Sequence, residues 1–123
     1  MSIQRIGSAS VRALVGMCAI LHFSTPGRAQ WTVTNLHPAG SFSSRALGVS
    51  GDQQVGYSQT GATVGSIRAS LWNGSAGSWV NLHPAGTVYS IAYAASGGQQ
   101  AGEVYTDGFP RAALWTGTAA SWV

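Results

Sequence analysis

The chain has 123 residues, room for one domain of the usual roughly 100–200 residues. Only 7% of its residues are charged, against 17 Gly and 12 aromatic side chains (5 Trp, 4 Tyr and 3 Phe). That excludes disorder, which needs high net charge and little apolar content, and it disfavours a helical bundle, since each interior Gly costs about 1 kcal/mol relative to Ala. A single Cys excludes a disulfide framework.

The formal charge of +3 is unevenly placed. Arg5 and Arg12 give the N-terminus a positive region without acids, followed by an apolar run from Ala13 to Leu21. Pro26 and Gly27 end that run, and Gly27-Arg28-Ala29 sets small residues at the −3 and −1 positions of a cut after Ala29. This layout predicts a secretory signal peptide, with its helix, over residues 1–29. The apolar run is too short for a membrane span, which needs about 20 residues. Met17 before Cys18 is too bulky for a lipoprotein signal.

Cleavage would leave Arg45, Arg68 and Arg111 against Asp52, Glu103 and Asp107, a charge near zero and no thiol. No basic patch remains for nucleic acid. The mature chain is therefore expected outside the cytoplasm, extracellular or periplasmic, without a stable membrane span.

Residues 30–123 read as a repeat domain. Asn35-Leu36-His37-Pro38-Ala39-Gly40 returns 46 positions later as Asn81-Leu82-His83-Pro84-Ala85-Gly86. Ser50-Gly51-Asp52-Gln53-Gln54 returns at the same offset as Ser96-Gly97-Gly98-Gln99-Gln100. The stretch Arg68–Val80 returns as Arg111–Val123, 43 positions on, with three residues lost from the loop after Thr106. Residues 35–60 match 81–106 at 14 of 26 positions, far above chance, so the chain is divided into repeat one at about 35–80 and repeat two at about 81–123.

In chain order, a lone strand is predicted over Trp31–Leu36. Strands follow at 46–50, 53–58, 67–72 and 78–82, with tight turns at Gly51-Asp52 and Asn73-Gly74. His83-Pro84-Ala85-Gly86 leads out, because Pro has no N–H for a ladder. In repeat two the strands fall near 91–96, 99–105, 111–116 and 121–123. Four short strands every 43–46 residues match one blade of a β-propeller. The expected fold is thus all-β: two four-stranded antiparallel, blade-like repeats plus one N-terminal strand, an incomplete propeller.

The pattern Ala-x-Leu-Trp-x-Gly-x-Ala-x-Ser-Trp-Val with Asn-Leu-His-Pro-Ala-Gly and Ser-Gly-x-Gln-Gln-x-Gly resembles bacterial extracellular repeat proteins of the HAF type, over residues 31–123. The resemblance implies tandem, propeller-like copies behind a signal peptide. It brings no catalytic residues. Two copies are fewer than the about 4–8 blades of a closed ring. Either self-association or further repeats are therefore expected to complete it, or the chain is a truncated fragment of a longer repeat protein.

Candidate chemistry is sparse. His37 and His83 lie at equivalent turns without neighbouring acids or Cys, short of the three or four ligands zinc needs. The three acids are not arranged as a glycosidase pair. No Gly-x-Ser-x-Gly elbow or phosphate-binding loop occurs. No catalytic, metal or cofactor site is expected. Trp72, Trp79, Trp115 and Trp122 are the residues singled out, either as structural aromatics between sheets or as contact residues for a ligand. The leading reading is a secreted, non-catalytic structural or protein-interaction module. The alternative is an extracellular carbohydrate-binding module using exposed Trp, with a glycan or cell-surface protein as partner.

Overall fold

A computed structural model describes residues 30–123; the expected signal peptide and its helix lie outside the described residues. The fold is all-β. Strands β1 (Ser43–Ser50), β2 (Gln53–Gln59), β3 (Ile67–Asn73) and β4 (Val80–Asn81) form one antiparallel sheet in that order. Strands β5 (Tyr89–Ser96), β6 (Gln99–Thr106) and β7 (Phe109–Trp115) form a second, three-stranded one. The helical turns among the described residues are three short 3-10 turns, at Val64–Ser66, Ala76–Ser78 and Ala119–Ser121.

Two expected strands differ. Trp31–Leu36 forms no strand and pairs with no edge among the described residues. The fourth strand of repeat two, expected over 121–123, is reduced to one reciprocal pair: Leu114 and Val123 exchange N–H···O bonds of 3.0 Å each. Its counterpart β4 is itself only two residues long. Ser78 and Trp79 are drawn into a turn in which Ser78 N–H donates to the Ser75 carbonyl and Asn73 N–H donates to Ser78 Oγ. In repeat two, Thr116 N–H donates to Ser121 Oγ in the same way.

The repeat is reproduced in detail. The β1–β2 register slips between Ala46 and Gly48, and the β5–β6 register slips between Ala92 and Ala94. Each bulge faces a glycine that no other residue could replace without movement. A Cβ at Gly56 would collide with the Arg45 carbonyl, and one at Gly102 with the Ile91 carbonyl. The two copies part at the hairpin that follows. Repeat one needs the loop Thr60–Ser66, closed by Thr60 N–H donating to the Ser66 carbonyl. Repeat two turns on Asp107 and Gly108 alone, with φ of 52° and 83°, the positive pair a tight hairpin turn demands.

The core lies between the sheets. Val55, Ala69, Leu71 and Leu82 come from the first, and Ala92, Val104, Ala113 and Trp115 from the second. Side chains alternate across a strand, so these sets fall on opposite faces of equivalent sheets. Val55 and Leu71 correspond by the repeat to Ala101 and Leu114, whereas Val104 and Trp115 correspond to Ser58 and Trp72. The sheets thus stack front to back, with β5 lying across β1, β2 and β3.

Candidate interaction surface

The repeated turn Asn-Leu-His-Pro-Ala-Gly is the joint between sheets. Its Asn side chain accepts from the His N–H two residues on, Asn35 with His37 and Asn81 with His83, each at 2.9 Å. That sets the chain leaving the edge, and the following Leu82 closes the gap by donating its N–H to the Ala69 carbonyl at 2.8 Å. The imidazole then reaches the first strand of the next sheet. His83 Nδ1 meets Ser90 Oγ at 2.8 Å, and His37 Nδ1 meets Ser44 Oγ at 2.9 Å.

Ser90 is buried and makes a second contact, in which its oxygen accepts the Ala69 N–H, at 2.9 Å, from the sheet before it. With its oxygen accepting, the hydroxyl proton is free to go to His83 Nδ1, which suits a neutral ring. Burial, then the Arg68 guanidinium, lower the His83 pKa from the usual 6.5 to about 4, against an opposing hydrogen bond to the Thr87 backbone. The two histidines are joints, and they sit in separate turns. Among the described residues no three His, Cys, Asp or Glu side chains gather as a metal site.

Gln-Gln is the other repeated device. Gln54 accepts the Gly74 N–H and donates to the Asp52 carbonyl, tying the two hairpin turns of the first sheet together. Gln100 does the same with Gly117 and Gly98. It is fully buried and also donates to Gln53 Oε1 across the sheets at 3.4 Å.

The four singled-out Trp residues fall into two classes. Trp72 and Trp115 are buried, at 1% and 0% exposure, and present no ring face to solvent. Each sits opposite a Gln across its central strand pair, Trp72 on Gln54 and Trp115 on Gln100. Trp115 is part of the core between the sheets, while Trp72 lies on the other face of the first sheet. Both indole N–H groups are buried without a hydrogen-bond partner. Trp79 and Trp122 are half-buried just after their 3-10 turns. Trp79 Nε1 donates to Ser70 Oγ at 2.9 Å, and Trp122 packs against the core.

A surface the residue types did not flag is the open face of the second sheet. Ala94, Ala101 and Leu114 line a shallow groove of about 200 Å³ there. Toward one end, Tyr89 stacks on Tyr105 with ring centres 5.1 Å apart, and Tyr93 donates its hydroxyl to Glu103 Oε1 at 3.1 Å. Burial first, and the neighbouring Glu103, raise the hydroxyl pKa of Tyr89 and Tyr93 above the usual 10. The signal was present in the alternation of Tyr89, Ile91, Glu103 and Tyr105, positions that share a face once the register is known. Asp107 and Arg111 form an exposed ion pair at 3.7 Å, and Asp52 is exposed at its turn; neither lies with Glu103 in a common cleft. No family model, curated protein or solved structure matches the chain.

Proposed function

We propose that the chain is a secreted, non-catalytic repeat module with a structural or protein-interaction role, built of propeller-like blades of the bacterial HAF type behind a signal peptide. One observation carries this reading. The polar residues that repeat (Asn35/Asn81, His37/His83, Gln54/Gln100) are engaged in joining turns and strands. The chemistry that recurs is therefore the chemistry of stacking. Front-to-back packing of equivalent sheets is the arrangement that extends into arrays.

The test is export of the full chain from a bacterial host, followed by N-terminal sequencing and a screen against esters, glycosides and peptides. Recovered protein should begin at Gln30 and turn over none of them. A retained Met1 would remove the secreted reading. Turnover abolished by Glu103→Gln or His83→Gln would replace the non-catalytic one.

A further inference from the structure

Within the chain, the front face of the first sheet is covered by β5. Among the described residues nothing covers the same face of the second sheet, and β1, the counterpart of β5, is itself exposed, with Leu47 and Val49 at 41% and 69%. We propose that β1 of a second copy of this chain docks on the open face of the second sheet, in the place that β5 holds on the first, so that copies associate head to tail. This rests on the repeat-module reading and specifies its partner.

The internal interface supplies the template for each contact. Ala69 N–H is met by Ser90 Oγ, and Ser90 is held by His83. The counterpart of Ala69 is Ala112, an exposed residue of β7. The counterpart of the Ser90–His83 pair is Ser44–His37, already formed at 2.9 Å. In the docked pair Ser44 of the second copy accepts the Ala112 N–H. Next, Leu82 donates to the Ala69 carbonyl; its counterpart Leu36 lies in a segment that pairs with no strand, and it would donate to the Ala112 carbonyl. Val123 holds Leu114 as Val80 holds Leu71.

The face itself fits. Val55 and Leu71 are buried under β5, and their counterparts Ala101 and Leu114 line the open groove. Tyr57 remains half-buried and Arg45 exposed in the internal interface. Their counterparts Glu103 and Ile91 therefore fall at the rim of the proposed one, where a carboxylate keeps its water. One position differs in an informative way. A Cβ on Gly48 would lie 2.6 Å from the Tyr93 carbonyl and 3.2 Å from Ala94 Cα. Ala94, the counterpart of Gly48, carries such a methyl, so the second copy must sit slightly further off there. Removing the methyl should draw it in. The contact joins two different surfaces, which closes a ring or grows a filament according to its rotation. Two to four copies would supply the about 4–8 sheets of closed propellers.

Sedimentation velocity of the chain recovered after export, over a concentration series, tests this. The expected result is reversible association beyond a monomer. Ala94→Arg, an exposed change that should leave the melting curve at low concentration untouched, should weaken association by about tenfold or more, and Ala94→Gly should strengthen it several-fold. A chain that stays monomeric throughout, or association indifferent to Ala94→Arg, overturns the proposal. Either result leaves the non-catalytic reading to stand or fall on the turnover screen.

Discussion

The two sheets start from nearly the same sequence and meet different fates. In the first, the front face is closed by its neighbour; in the second, no described residue closes that face. In the second, the back face with Trp115, Val104 and Ala113 is core; in the first, the matching positions are Trp72, Ser58 and Ser70. Substitution follows placement. Ser58 and Ser70 hydrogen-bond each other at 3.1 Å, whereas Val104 and Ala113, facing another sheet, have no hydroxyl to satisfy. A repeat therefore fixes the shape of a sheet, while its neighbours decide which residues that shape can carry.

The sharpest way to separate the sheets is at the paired indoles. Trp115→Ala should cost about 3–5 kcal/mol, the range for a large aromatic deleted from a core, and that approaches the total stability of a domain of this size, about 5 kcal/mol. Urea denaturation should show little folded protein. Trp72→Ala removes an equally buried ring from outside the inter-sheet core and should leave a folded, weakened chain. Equal losses at both positions would mean that the back face of the first sheet is packed as firmly as the core.

Next in size is the joint. Ser90→Ala strands the buried Ala69 N–H, a loss of about 1–3 kcal/mol. Ser44→Ala removes only the contact to an exposed His37, and about 0.5 kcal/mol or less is expected from a dilute, unassociated chain. Thermal melts of the two variants measure the difference directly.

How far the sequence exposed all this depends on the residue. The strand pattern and the turns at Gly51 and Gly97 were legible, because local rules and close recurrence carry them. The sequence suggests a longer β4, since Ser78 and Trp79 look like strand residues and are claimed by a side-chain-closed turn that no periodicity announces. Trp31–Leu36 has strand composition, but a strand also needs an edge to pair with, and that is a property of the neighbours. The different surroundings of Trp72 and Trp115 were invisible for the same reason: identical motifs cannot say which face will be covered. The open face of the second sheet became visible only once the register put Tyr89, Glu103 and Tyr105 side by side.

The His83 joint also makes stability depend on pH. His83 is held neutral in the folded chain, its pKa lowered to about 4 by burial and by Arg68. In the unfolded chain it titrates near the ordinary value of about 6.5. Between these values the unfolded state binds more protons, so stability rises with pH there, is fully present above about 6.5, and is lost as pH falls toward 4. Denaturation midpoints measured across that window should slope for the parent chain and flatten for His83→Gln.

The last comparison lies at the half-buried Trp pair, and it asks whether the Ser70/Ala113 difference is a choice or a tolerance. Ser70 Oγ takes the Trp79 indole N–H at 2.9 Å, and it also bonds Ser58 Oγ and the Arg68 carbonyl. Ala113, in the same place, offers Trp122 no acceptor. Ser70→Ala should cost about 0.5–1.5 kcal/mol, one ordinary hydrogen bond, because water can reach a half-exposed indole but cannot restore the buried hydroxyl pair. Ala113→Ser inserts a hydroxyl into the inter-sheet core. If that hydroxyl reaches the Trp122 indole, the change should be near neutral, with altered Trp fluorescence. If the packing of Ala92 and Val104 holds it away, an unpaired hydroxyl should cost about 1–3 kcal/mol. Near neutrality would show that the second sheet still accepts the polar back face of the first. A clear loss would show that its apolar back is required by the sheet stacked against it.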